Sequence, residues 1–137
     1  MATLLIADDN AAIREFCRCE LAEEGYFVLE ARDGAEAVAQ ARQFRPDVIV
    51  LDICMPNVNG LEALTRIRRV QPDAAVILFT AYDDACLHDK RSLVATACVA
   101  KSHDLTELKQ VVSGVLKSRR DKTNYRVGLP PLSMAAG

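Results

Sequence analysis

Tryptophan is absent from this chain, and aromatic residues make up only 5% of it. No apolar stretch approaches the roughly 20 residues that cross a bilayer as a helix. No basic segment followed by an apolar one marks the N-terminus, so no secretion signal is read. Charge of one sign is also missing. With 17 basic and 19 acidic residues the formal net charge is −2, which implies no general attraction to nucleic acid or to an anionic membrane. A disulfide framework is excluded by an odd count of five cysteines without regular spacing. Cys17 and Cys19 stand two apart and do not share a helix face, which argues against a paired metal or redox site. Reduced thiols in a cytoplasm are expected. A redox role for Cys54 would need exposure and a lowered pKa. There is no internal repeat and no low-complexity block.

What remains is ordinary globular composition, half hydrophobic and 26% charged, in 137 residues. That is enough for one domain with a real core. Apolar runs of strand length alternate with helical patterns. The first run, Leu4 to Ala7, ends in Asp8 and Asp9. Ile13, Phe16, Cys17 and Leu21 then recur at helical spacing until Gly25. Phe27, Val28 and Leu29 form the second strand candidate. Asp33 is the expected N-cap of a helix carrying Ala37, Val38, Ala41 and Phe44, stopped by Pro46. The run over residues 47–51 is almost wholly apolar, as expected of a strand covered on both faces, and ends in Asp52. Gly60 opens a helix with Leu61, Leu64, Ile67 and Val70 inward, and Pro72 follows it. The fourth strand, residues 75–79, ends in Thr80. A weaker helix is expected over residues 83–93. The fifth strand, residues 97–100, ends in Lys101. Asp104 is the expected cap of a last helix with Leu105, Leu108, Val111, Val112, Val115 and Leu116 on one side.

Strand and helix alternating throughout predict an α/β fold, a doubly wound five-stranded parallel sheet flanked by helices. Sites in such sheets lie outside the carboxyl ends of the strands, where strand order switches. That rule gathers Asp8, Asp9, Asp52, Thr80 and Lys101. A lone carboxylate is costly to take from water, so Asp52 at the end of an apolar strand needs a reason. Three clustered carboxylates raise one another's pKa unless a cation sits among them. Mg²⁺ suits such an all-oxygen site. A carboxylate can attack phosphorus, and Asp52 is the better candidate because it stands alone at its strand end. Lys101 would neutralise developing negative charge, and the Thr80 hydroxyl would bond a phosphoryl oxygen. Singly, each residue has a plainer reading: Asp8 or Asp9 as a helix cap, Thr80 as a strand-end residue, Lys101 as a solvated charge. Their occurrence at successive strand ends is what points to chemistry.

Ile6 through Asn10, residues 47–56 with Gly60, Thr80 with Ala81, and Lys101 together resemble the receiver domain of two-component response regulators. The resemblance covers residues 3–117. It implies a flavodoxin-like strand order of 2-1-3-4-5 and makes Asp52 the phosphoacceptor. It also implies that Asp9, Asp52 and the backbone carbonyl of Cys54 bind Mg²⁺, with Asp8 acting largely through water. Thr80 and Lys101 would contact the phosphoryl group, helped by backbone amides near Ile53 and Ala81. The donor would be a phosphohistidine on a sensor histidine kinase or histidine phosphotransferase, docking around the first helix. The expected boundaries are a receiver domain over residues 1–119 and a flexible tail or linker start over 120–137. The resemblance implies no enzyme apart from self-catalysed phosphorylation and dephosphorylation. Neither His88 nor His103 matches a family motif, and both are taken as surface residues.

The departures cluster. The family usually has an aromatic three positions before the lysine, where Cys98 stands. A proline usually follows the lysine, where Ser102 stands, so a trans peptide is expected there, since a non-proline cis bond costs roughly 2.5–4 kcal/mol. A glycine commonly ends the helix before the fifth strand, where Val94 stands, and valine disfavours a left-handed cap. These positions lie on the face that the family uses to pass its signal on, which predicts intact phosphorylation chemistry with an altered readout. Tyr82 and Cys54 flank the site, and bulky Tyr82 is expected to slow hydrolysis of the phosphate. Two other readings stay open: a binding adaptor that is not phosphorylated, and a Mg²⁺-dependent phosphohydrolase. After Lys117 only about 20 residues follow, short of a helix-turn-helix module of ordinary size, so no nucleic-acid binding is expected of the chain itself.

Overall fold

A computed structural model describes residues 1–81, 89–102, 104–121 and 127–128. Tyr82, Cys86, His88, His103 and residues 83–88 of the expected weaker helix lie outside the described residues.

The elements run β1 (Thr3–Ala7), α1 (Ala11–Glu23), β2 (Phe27–Ala31), α2 (Gly34–Phe44), β3 (Val48–Leu51), α3 (Gly60–Val70), β4 (Ala75–Thr80), a 3₁₀ turn (Lys90–Val94), β5 (Ala97–Ala100) and α4 (Thr106–Asp121). The strands form one sheet in the order β2-β1-β3-β4-β5, and every pair is parallel. This is the expected doubly wound, flavodoxin-like arrangement. Alternate strand residues feed two cores, as the period of a strand requires. Leu5, Ile49, Leu51, Val76 and Leu78 pack with Ala37, Ala41, Leu61, Leu64 and Ile67 of α2 and α3. Leu4, Ile6, Val48, Val50, Ile77 and Val99 pack with Cys17 and Leu21 of α1 and with Leu108, Val111, Val112 and Val115 of α4.

Short polar side chains set the helix starts. Asp33 accepts from Glu36 N–H at 2.8 Å, as expected. The first helix is capped by Asn10, whose Oδ1 accepts from Ile13 N–H at 3.1 Å, not by Asp8 or Asp9. Asn59 caps α3, with Gly60 as its first residue. Asp104 accepts from Thr106 N–H at 3.0 Å, so Leu105 precedes the last helix although its side chain is buried.

Three expectations are corrected. Phe16 and Phe44 fit the apolar spacing of their helices, yet they are 43% and 51% exposed. Each lies at the margin of its stripe, off the sheet-facing line held by Cys17 and Leu21 or by Ala37 and Ala41. Val70 is likewise only half-buried. The described end of the weaker helix is a 3₁₀ turn. Asp89 accepts from Arg91 N–H at 2.9 Å and from Ser92 Oγ through its carbonyl at 2.7 Å, which tightens the chain there.

Candidate functional site

Parallel register brings the strand ends level. Ala7 pairs with Leu51, Leu51 with Leu78, and Thr80 with Ala100. Backbone bonds carry the ladder one residue past each strand: Asp8 N–H to Ala31 O, Asp52 N–H to Ala7 O, and Lys101 N–H to Thr80 O, at 3.1, 2.9 and 2.7 Å. Asp8 and Asp52 are therefore held by backbone beside each other, at the β1/β3 switch in strand order. Asp8, Asp52 and Thr80 are buried and Asp9 is exposed.

The Lys101 ammonium sits between the two buried carboxylates, 2.7 Å from Asp8 Oδ2 and 3.4 Å from Asp52 Oδ2. It also lies 5.8 Å from the Phe79 ring centroid, within cation–π reach. Burial lowers the affinity of Lys101 for its proton, but the bond to Asp8 and the charges of Asp52 and Asp8 outweigh it and hold the ammonium above its ordinary pKa. Asp52 shows the opposite balance for a carboxylate. Burial and then the Asp8 charge raise its pKa, and Lys101 and the Cys54 amide only partly offset them. One lysine does not compensate two buried carboxylates, and a further cation is electrostatically called for.

The donor set fits a hard cation. One carboxylate oxygen each from Asp8, Asp9 and Asp52 lie within 4.8 Å of one another. Mg²⁺ takes oxygen ligands at about 2.0–2.1 Å, so small side-chain adjustments would bring these into one shell. Asp52 Oδ1 accepts from Cys54 N–H at 3.4 Å, which turns the loop after β3 back toward the carboxylate. The Cys54 side chain itself is exposed.

Several residues take roles here that the sequence did not show. Asn10 donates its backbone N–H to Asp8 Oδ1 at 2.9 Å, and Arg14 Nη1 donates to the Asp8 carbonyl at 2.8 Å while its Nε reaches Glu30 at 3.1 Å. Together they fix the Asp8 backbone and side chain. A polar residue one turn into α1 was the available signal for Arg14. Gly60 has a sharper role. A Cβ there would lie 1.9 Å from the Asp52 carbonyl oxygen, and Gly60 N–H donates to Ile53 O at 2.7 Å. Only glycine lets α3 start against the Asp52 backbone. Burial pushes the Cys17 thiol up to about 11, so that cysteine is an inert packing group.

A family model for the response regulator receiver domain matches residues 4–113. The chain belongs to that family. This receiver domain is 41% identical over 81 residues to the probable transcriptional regulatory protein TcrX of Mycobacterium tuberculosis, covering 59% of this chain and 35% of that one. It is 40% identical over 80 residues to the response regulator MprA of Mycobacterium ulcerans, covering 58% and 34%. The chain thus spans about a third of the length of these curated relatives. Among solved structures, TrrA of Thermotoga maritima bound to Mg²⁺ and BeF superposes with a TM-score of 0.81 at 40% identity, over 85% of this chain and 100% of that one. TrrA bound to the histidine kinase ThkA gives a TM-score of 0.77 at 39% identity, over 85% and 99%.

The three departures from the family pattern fall together at the β4–β5 side. Cys98 is buried and pairs in register with Leu78. Val94 is exposed and ends the 3₁₀ turn without a left-handed cap; among described non-glycine residues only Arg45 and Asn57 have positive φ. Arg68 on α3 anchors this turn instead. Its guanidinium donates to the carbonyls of Val94 at 2.7 Å, Pro72 at 3.3 Å, and Ala74. Among the described residues no peptide bond is cis, that joining Lys101 to Ser102 included.

Proposed function

We propose that this receiver domain is a phosphoacceptor switch that takes a phosphoryl group onto Asp52. The observation that carries the reading is Lys101 lying 2.7 Å from Asp8 and 3.4 Å from Asp52 beside a three-carboxylate cluster. A buried nucleophilic carboxylate, a fixed cation and a place for a divalent ion are what transfer from a phosphohistidine requires. An Asp52 carboxylate oxygen attacks phosphorus and forms the O–P bond. The P–N bond to the donor imidazole breaks, and its electron pair returns to the ring nitrogen. Lys101 balances charge on the transferred oxygens, the Thr80 hydroxyl donates to one of them, and backbone N–H groups near Ile53 and Ala81 assist. Asp8, Asp9, Asp52 and the Cys54 carbonyl would hold Mg²⁺. When bound, the ion supplies the positive charge that lets an anionic phosphoryl group approach three carboxylates.

The donor is a sensor histidine kinase or a histidine phosphotransferase. The likeness to a receiver crystallised with its histidine kinase supports this, and exposed Phe16 on α1 offers an apolar contact for docking. The receiver occupies residues 1–119, with residues 120–137 as an extension. The thiols of Cys17, Cys19 and Cys54 are free, which supports a reducing, cytoplasmic setting. No helix of the described residues is long and apolar enough to cross a membrane. Turnover is confined to self-catalysed phosphorylation and dephosphorylation, and Tyr82, next to the site in sequence, slows the latter.

Incubation with Mg²⁺ and a small phosphodonor tests the reading. An acid-labile phosphate should form on the wild-type chain and be lost in Asp52→Asn and on chelation. Release of phosphate over many turnovers would instead indicate a hydrolase. No phosphate in either chain would indicate an adaptor.

A further inference from the structure

Strand β5 is the edge of the sheet, and an edge strand presents backbone groups that pair with whatever extended segment reaches them. Here the chain's own C-terminal extension reaches them. Val127 forms a parallel bridge with Ala97, and its carbonyl accepts the Cys98 N–H at 2.8 Å. The Val127 side chain packs on the core between the sheet and helices α1 and α4. Gly128 has φ of +76° and lies so close that a Cβ would come within 2.1 Å of the Cys98 carbonyl oxygen. In chain order this bridge follows β5 and α4, and it is parallel like every pair in the sheet.

We infer that the β5 edge is a strand-addition site and that Val127 and Gly128 occupy it in cis over Cys98. The site selects an extended segment with a β-branched residue for the apolar shelf followed by glycine for the close approach to Cys98. Main-chain bonding supplies attachment, and the shelf and the glycine gap supply selection.

The test is amide exchange at Cys98, read by NMR on the full chain. Gly128→Val cannot make the close approach, and Val127→Asp removes the apolar anchor. Each should speed exchange of the Cys98 amide by about tenfold, the loss expected for one hydrogen bond. Exchange at Leu78 in the sheet interior and phosphorylation of Asp52 should stay unchanged. A synthetic peptide of residues 124–132 added to the Gly128→Val chain should restore protection at Cys98. Unchanged exchange in both variants would overturn the inference, as would a peptide that fails to restore protection.

Discussion

The acidic pocket and the β5 side of this receiver domain lie one strand apart and are built on opposite plans. In the pocket, polar groups are buried with a shortfall of positive charge. Asp8 and Asp52 face a single lysine; Arg14 holds the Asp8 carbonyl, the Asn10 amide holds the Asp8 carboxylate, and Gly60 lies against the Asp52 backbone. On the β5 side several backbone groups are tied by bonds from within the chain. Arg68 holds three of them, and the C-terminal extension closes the edge at Cys98. One region is poised for a cation and a phosphoryl group. The other is tied down by contacts that owe nothing to phosphorylation. The difference leads us to expect that chemical competence and conformational response are separable in this fold. A pocket of the family's pattern can sit beside a face that lacks its aromatic, its glycine and its proline.

The largest effect should come from the point where α3 meets Asp52. Gly60→Ala forces a Cβ against the Asp52 carbonyl and the Ile53 Cα, all backbone atoms with no flexible group to yield. We expect a loss of about 3 kcal/mol in denaturant unfolding together with slowed phosphorylation. A loss under about 0.5 kcal/mol would mean that the pocket's backbone is not held as described.

Asp52→Asn should act the other way on stability. The folded-state pKa of Asp52 is raised by burial and by Asp8, so the folded chain holds this proton more tightly than the unfolded one. That preference favours folding below the ordinary carboxylate pKa and is lost as pH rises through the raised value. In metal-free buffer near neutrality the asparagine variant should therefore be more stable than wild type, by on the order of 1 kcal/mol. The gap should close as pH falls into the carboxylate range, and narrow on adding Mg²⁺. A wild type more stable than Asp52→Asn at neutral pH would show the carboxylate already compensated.

The smallest effect should lie on the β5 side. Val94 does not adopt a left-handed conformation, so Val94→Gly relieves nothing there and should shift stability by no more than about 1 kcal/mol, downward. A stabilised variant would show that the turn is strained after all.

The strand ends were legible in sequence because an apolar run interrupted by a charge or hydroxyl survives any uncertainty in helix boundaries. Asp8, Asp52, Thr80 and Lys101 needed only the parallel-sheet rule to converge. What stayed hidden depends on distance in space. Gly60 looked like a helix start, and its closeness to the Asp52 carbonyl follows from how the loop between β3 and α3 folds back. Arg14 had no role in the sequence reading, and only the placement of α1 brings it to the Asp8 carbonyl. Phe16 and Phe44 matched a helical stripe, but spacing does not say where the sheet ends beneath it. Asn10 out-competed the neighbouring aspartates as a cap because Asp8 is held by the ladder to Ala31 and Asp9 follows it directly. Nothing in the extension's sequence announced that Val127 would meet the edge of β5.

The central claim is that the pocket is complete while the face beside it responds weakly. Amide exchange with and without Mg²⁺ and beryllofluoride, a phosphate mimic, measures both regions in one experiment. The account predicts strong added protection in the loop from Asp52 to Gly60, with little change across residues 83–102. Protection changes of comparable size across residues 83–102 would contradict it.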